Sequence, residues 1–527
     1  MNRAIVASRR SMRALPLTLA LLLLSGCASS SLTLAPETPT TPSQAGEAAA
    51  SAETIVTAAK AGEARGPDFA RTGDTTMPID LPRPVIEKGH VHTLPELIDI
   101  AQSTNPSTRA AWERARQAAL GVGMAKATYL PILSADVVAG WERTSNPAAG
   151  FEVGKPPIGF TVPPGTITAQ GRQTLPSASV KWLLFDFGGR TAVVDAANQA
   201  SIAANAGFDG THQKLIWEVS RAFHRLTAAR TQVGIARQTL ANAKALRSAA
   251  DARMGRGIGT SIEVAQARQQ VAQAELGLTQ ATGQARDVYR GLLEAMGVAP
   301  TLEIAVEDVS GRPLPKAPSV DVDRLVEASL QRRPDVQAAF ARLKADRAGI
   351  DKARSDFLPK VSLIGNVSKD YGSYTLSDSR LPIAAHHSTG STDAGLLIGV
   401  TVPIYDSGMR EAQLKTAESR AAAAEQELAK LQNEGAKEIV VAYDTLRTSL
   451  ASHAAASELV NASTVTAKAA LEYYRNGIGS LSDAIAAETA LLQARLAKAR
   501  AHSDAMIAAT TLAFASGTLT NRVSAPH

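Results

Sequence analysis

Arg190 to Met296 contains Leu215, Val219, Ala222, Leu226, Ala229, Val233, Ala236, Leu240 and Ala243, then Val264, Ala267, Val271, Ala274, Leu278, Ala281, Ala285, Val288 and Leu292. The steps alternate between four and three residues on both arms. That is the spacing of a heptad seam, and it predicts one long helical hairpin folded at Arg256-Gly257-Ile258-Gly259. Large residues alternate with alanine, so neighbouring helices can seat closely. The outgoing arm, Arg190 to Arg253, is expected to be roughly 95 Å long at the helical rise. No globular core needs a rod of that length.

The pattern then returns. Asp186, Gly188 and Arg190 match Asp406, Gly408 and Arg410; Phe223 matches Tyr443; Gly257-Ile258-Gly259 matches Gly477-Ile478-Gly479, all at a constant shift of 220 positions. Upstream, Pro106 matches Pro334 and Leu130-Pro131 matches Leu358-Pro359 at a shift of 228. The chain is therefore a tandem duplication of one long architectural half, far longer than a solenoid unit.

Bulk properties narrow the function. The formal charge is +6, but residues 1–27 hold four arginines and no acid, and without them 51 basic residues face 49 acidic ones. No basic excess remains of the kind that nucleic-acid binding uses, so no nucleic-acid partner is expected. A single cysteine rules out an internal disulfide framework.

Residues 1–27 read as an export signal: a basic segment to Arg13, an apolar run from Leu15 to Leu24, then Leu24-Ser25-Gly26-Cys27. The last four resemble a bacterial lipobox. That resemblance implies a covalent lipid on Cys27, and Ala28 after it implies sorting to the outer membrane. Residues 28–92 read as a tether and N-terminal extension, Ala-, Ser-, Thr- and Pro-rich over 28–75. Folded structure is expected from Thr93-Leu94-Pro95-Glu96.

Two repeats follow, 93–310 and 311–516, and a tail over 517–527. In the first, helices cover 94–128 with a break at Asn105-Pro106, strands are expected at about 132–141 and 178–187 around a loop over 142–174, and the hairpin runs from about 190 to 296. In the second, strands are expected at about 360–369 and 395–404 around a loop over 371–392, with the hairpin at about 410–514. Strands of about ten residues match what a tilted transmembrane β-strand needs. Four of them cannot stand alone in lipid, because an open sheet leaves unpaired N–H and C=O groups at two edges. More copies are needed for closure, two giving eight strands and three giving twelve. Gly188, Gly189 and Gly408 are expected to turn each strand into its helix.

The duplicated helix–strand–strand–hairpin plan resembles the TolC-like outer membrane efflux proteins, and the lipobox places it near their OprM-like lipoprotein members. Leu130-Pro131, Leu358-Pro359, Phe185-Asp186-Phe187-Gly188-Gly189-Arg190, the first tip Arg253-Met254-Gly255-Arg256-Gly257-Ile258-Gly259-Thr260 and the second tip Tyr474-Arg475-Asn476-Gly477-Ile478-Gly479-Ser480, with Glu488 downstream, carry the likeness. It covers roughly residues 93–516.

The resemblance implies a mostly α protein with a membrane β-barrel: a homotrimer sharing a twelve-stranded barrel in outer-membrane lipid and an α-helical barrel in the periplasm. A periplasmic adaptor and an inner-membrane transporter would drive small molecules or drugs through it. The adaptor is expected at Arg253, Gly257, Gly259, Thr260, Arg475, Gly477, Gly479 and Ser480. Family members often place aspartates in a ring at the closed aperture. Here the equivalent turn has Gly479 and Ser480, so Asp483 is the nearest candidate, with a solvated helix residue as the alternative reading. The alternatives to an efflux duct are a type I protein-secretion duct or a lipid-anchored periplasmic coiled-coil adaptor.

No enzyme, cofactor or metal is expected beyond the lipid on Cys27. Gly255-Arg256-Gly257-Ile258-Gly259 follows a helix instead of a strand and lacks phosphate-loop spacing. His386-His387 has no further Cys or His at ligand spacing.

Overall fold

The structure is a computed structural model that describes residues 76–78, 81–85, 89–155, 157–316, 319, 321–380 and 384–519. The chain divides into two units, Met1–Leu81 and Pro82–His527. Residues 76–78 and 81 of the first are described and carry no helix or strand. The export signal, Cys27, the tether over 28–75 and residues 520–527 of the tail lie outside the described residues. Everything below concerns the second unit.

In chain order it contains β1 (Val91–His92), α1 (Leu94–Thr104), α2 (Pro106–Ala127), β2 (Ile132–Ala148), β3 (Phe151–Val153), β4 (Phe160–Val162), β5 (Gly165–Phe185), α3 (Gly189–Gly255), α4 (Ser261–Met296), β6 (Ala305–Val306), α5 (Val322–Leu330), α6 (Pro334–Ser355), β7 (Lys360–Asp378), β8 (Ala384–Thr401), α7 (Met409–Arg475) and α8 (Leu481–Ala515). The duplication is explicit. Each half runs short helix, 22-residue helix, two long strands, a 67-residue helix and a return helix of 36 or 35 residues. At 1.5 Å per residue each long helix spans about 100 Å.

Local chemistry sets the boundaries. The Glu96 carboxylate accepts from the Thr93 N–H at 2.8 Å and opens α1. Asn105 ends α1, and its side chain accepts from the Ser107 N–H at 2.9 Å to open α2, with Pro106 at the first helical position, where a missing N–H costs nothing. Pro334 does the same for α6. Gly297, with φ +72°, closes α4.

The heptad seam is buried or half-buried along its whole length in both arms of the first hairpin. Its densest part is a core where α3 and α4 meet α1 and the β1–β6 pair, built on Leu97, Leu215, Val219, Phe223, Leu292 and Met296. The second repeat has a smaller counterpart on Ile439, Ala442 and Ala515. Phe223 and its repeat mate Tyr443 are both buried.

The four long strands form one antiparallel sheet in the order β2-β5-β7-β8. Its middle pairing, β5 with β7 from Ile167↔Asp378 to Phe185↔Val361, joins the two repeats and carries an irregularity near Leu183/Phe185. β2 and β8 are its two edges.

The strands are longer than expected, at 17, 21, 19 and 18 residues, so most of the loops anticipated over 142–174 and 371–392 is strand. Of the first, the short β3–β4 pair lies between the two long strands; of the second, Ser379 and Arg380 are the described residues outside the strands. The reason is compositional. Large apolar residues on the edge strands cluster in the part first assigned, as with Leu133, Val138 and Trp141 on β2 and Leu396 to Ile398 on β8. Beyond them the strands continue through polar residues such as Glu142 to Asn146 and His386 to Asp393. Among the described residues no helix is long and apolar enough to cross a membrane.

Candidate functional site: the paired hairpin tips

The two hairpins end side by side, and a small core joins them: Leu246, Ala250, Val264 and Ala267 of the first pack with Tyr474, Leu481 and Ala484 of the second. Both turns place glycine where φ is positive, +73° at Gly257 and +76° at Gly477. The return helices start on capped side chains. Thr260 accepts from the Glu263 N–H at 3.2 Å while Glu263 accepts from the Thr260 N–H at 3.2 Å. Ser480 accepts from the Asp483 N–H at 3.1 Å and donates to the Asp483 carboxylate at 2.7 Å.

One side chain crosses between the tips. Arg253 is 9% exposed. Its Nη1 donates to the Tyr474 carbonyl at 3.0 Å and its Nη2 to the Ile258 carbonyl at 3.3 Å. The guanidinium also sits 4.9 Å from the centre of the Tyr474 ring, the face-on attraction of a cation for a π system. Tyr474 is fully buried, and its hydroxyl has no hydrogen-bond partner among the described residues. Burial, with the negative charge of Glu263 nearby, raises the phenol above its ordinary pKa, against the opposing pull of Arg253. Higher up, Asn242 of the first hairpin donates to Glu488 of the second at 2.9 Å.

The shift of 220 makes the tips look equivalent, but they are not. Arg253 corresponds to Tyr473, and Tyr474 to Met254; Tyr473 and Met254 are exposed. Each tip thus turns a different one of two adjacent residues inward. Of the residues expected at the tips, Arg253 is spent inside the chain. Gly257, Gly477, Thr260, Arg475 and Ser480 are exposed, and Gly259 and Gly479 are half-buried in the turns. Asp483 is exposed and held by Ser480. The partnership of Arg253 with Tyr474 had no sequence signal, because no pattern within one hairpin reports a contact with the other.

At the opposite end of the long helices, the strand-to-helix corners repeat one device. Gly188 and Gly408 take φ +93° and +83°, and Phe187 and Ser407 before them are also positive. The Asp186 carboxylate accepts from the Arg190 N–H at 2.7 Å, capping α3, and Arg190 reaches back to the Leu183 and Leu184 carbonyls at 2.6 and 2.9 Å. Asp406 and Arg410 repeat this, with Arg410 donating to Asp406 at 2.7 Å and to the Pro403 carbonyl at 3.0 Å. A side chain at Gly189 would strike Ser355 Oγ at 2.6 Å, so that position needs glycine for space. His386 and His387 are exposed on β8, with His386 beside Thr375 Oγ1 at 2.9 Å. Among the described residues no group of three or more potential ligands surrounds a metal position.

The outer membrane efflux protein model matches residues 97–298 and 325–518, one segment per repeat. The chain belongs to that family. Among relatives of this outer membrane efflux protein, Protein CyaE of Bordetella pertussis is 26% identical over 404 residues, covering 76% of this chain and 78% of CyaE. Outer membrane protein OprJ of Pseudomonas aeruginosa is 27% identical over 302 residues, 55% of this chain and 59% of OprJ. The solved outer-membrane channel OprN shares the fold with a TM-score of 0.66 at 22% identity, over 80% of this chain and 89% of that one. The resemblance read from the repeated motifs is thereby confirmed, as are its outer-membrane location and its role as an efflux channel.

Proposed function

We propose that three copies of this efflux protein close a twelve-stranded barrel in the outer membrane, continuous with a periplasmic tube of helical hairpins. The duct would serve as the exit of a tripartite pump. The observation that carries this reading is the open sheet. β2 and β8 are edges of 17 and 18 residues that expose apolar side chains. Unpaired edges in lipid cost several kcal/mol per polar group. The four strands alternate in direction, so β8 of one copy can meet β2 of the next antiparallel, a head-to-tail contact that forms a ring when the rotation between copies closes. The apolar segments of about ten residues suit the bilayer, and the polar extensions project beyond it.

Transport needs no catalytic group. A water-filled tube spares its cargo the partition into lipid. The exposed tip residues Gly257, Thr260, Arg475, Gly477 and Ser480, with Ile258 and Ile478 beside them, are the surface offered to a periplasmic adaptor, which links the duct to an inner-membrane transporter. Gly259 and Gly479 shape those turns, and Arg253 holds them together. Asp483 is the candidate for an aperture ring. A lipid on Cys27 would anchor the chain beside its barrel. Efflux, the activity in the family's own description, is favoured over protein secretion and over a periplasmic adaptor.

The test is to purify the membrane-extracted protein in detergent, measure its mass, and record conductance in planar bilayers. A trimer with discrete channel conductance is expected. A monomer that inserts into no bilayer would overturn the proposal.

A further inference from the structure

Two grooves of nearly equal volume, about 570 and 540 Å³, lie one on each hairpin. They are copies of each other. Eight of the ten residues lining the groove between α3 and α4 become, on adding 220, residues lining the groove between α7 and α8; Glu218 becomes Glu438, Ala222 becomes Ala442, Gly291 becomes Thr511 and Glu294 becomes Phe514. Their occupancy differs. Trp217 of α3 lies in the second groove, where its Nε1 donates to Thr511 Oγ1 at 3.0 Å and its ring stacks on Phe514 at 5.4 Å and 19°. This is one of the places where the first hairpin joins the second within the chain. No side chain does the same for the first groove among the described residues.

The residue that would do so by repetition is 220 positions after Trp217, and it is Lys437 on α7. Lys437 is exposed and, among the described residues, takes part in no ion pair, and nor does Glu294. The two exchanges match. Where the chain stacks Trp217 on Phe514, the vacant seam would set Lys437 against Glu294. An aromatic pair has been replaced at both positions by a cation and an anion. Glu218 adds a second carboxylate to that groove, beside Arg221 and Arg225.

We infer that the groove between α3 and α4 is the seat for α7 of a neighbouring copy, with that copy's Lys437 against Glu294. This rests on the trimeric reading and gives its helical tube a specific joint: the seam inside each chain recurs between chains, with an ion pair in place of a ring stack. Continuity favours a second copy over any foreign partner, because the first hairpin of each chain already fits the second groove in this manner. Heterologous contacts that repeat one geometry close into a ring where the rotation between copies allows it, as the proposed barrel requires.

The test uses the full-length protein in membranes. Cysteines replace Lys437 and Glu294 in a variant whose Cys27 is also changed to serine, and a short bis-maleimide is added. Cross-linked dimers and trimers are expected on denaturing gels in most of the protein, whereas a Trp217→Cys/Phe514→Cys pair should give only an intrachain link. Charge reversal provides the second arm. Lys437→Glu or Glu294→Lys alone should lower the heat resistance of the oligomer, and the two together should restore it. If the protein has the mass of a trimer but the Lys437/Glu294 pair yields no interchain product and reversals do not compensate, the joint is refuted while the trimer stands. A protein with monomer mass refutes both.

Discussion

Replacing Arg253 with alanine should separate the two hairpin tips. The side chain donates two hydrogen bonds from a charged group, one at 3.0 Å across to the second hairpin and one at 3.3 Å within its own turn, and it faces the Tyr474 ring. The cross-hairpin bond is worth about 2 kcal/mol and the ring contact in this buried setting about 1 kcal/mol. Their loss, about 3 kcal/mol, shifts the equilibrium between joined and separated tips roughly a hundredfold toward separation, at about 1.4 kcal/mol for each factor of ten. The internal control is Tyr474→Phe. The hydroxyl has no partner among the described residues, so its removal keeps the ring, the carbonyl and the packing, and should leave the tips as tightly joined as before. Native-state hydrogen exchange at residues 253–260 and 474–480 reads the difference directly, and bilayer conductance reads its consequence for the channel. Unchanged exchange in Arg253→Ala, or loosening in Tyr474→Phe equal to it, would refute the bolt.

Three further outcomes follow from other sites. Burial, with the charges of Arg312 and His502, pushes His224 down from 6.5 to about 4. Between those values the unfolded chain holds a proton that the folded one lacks, so stability falls as the pH drops through this window, by about 3 kcal/mol in all. A pH series of melting temperatures should be flatter there for His224→Leu, and parallel curves would contradict the assignment. At the corners, Asp186 and Arg190 are each only 10% exposed. Removing one partner of so buried a pair costs about 3 kcal/mol, so Asp186→Asn should lower the melting temperature clearly more than Asp406→Asn, whose pair is more open to water. At the turns, alanine at either positive-φ glycine costs about 1–2 kcal/mol in backbone strain. A Cβ at Gly477 would also lie 3.1 Å from Arg253 Nη1, whereas Gly257 faces open space, so Gly477→Ala should loosen the tips more than Gly257→Ala in the same exchange experiment.

The parts of this molecule that could be read from its sequence are those in which periodicity and burial coincide. The heptad positions from Leu215 to Leu292 are buried or half-buried because nothing but packing selects them. The corners were legible because Asp186, Gly188 and Arg190 recur intact as Asp406, Gly408 and Arg410. The strands were legible only where apolar residues mark them. Past Trp141 and before Gly395 the ladder continues through serine, threonine, asparagine and charged residues, whose backbone bonds are as regular as any but whose side chains carry no alternation. Pro147, inside the loop expected over 142–174, sits within β2. The tip partnership was hidden for a different reason. The repeat aligns Arg253 with Tyr473, and only the packed structure shows that the second hairpin turns Tyr474 inward instead.

On the proposed assembly, the two grooves would differ in when they are filled. Trp217 meets Phe514 inside a single polypeptide, so that contact forms as the chain folds, whatever its concentration, and the rings are not left waiting in water. A joint between copies cannot form until a second copy arrives. Lysine and glutamate tolerate that delay, since both are exposed and well hydrated while alone. On the proposed assembly, duplication within one chain would divide the labour: greasy surfaces where closure is immediate, ionic ones where an exported subunit would stay dispersed until its fellows come.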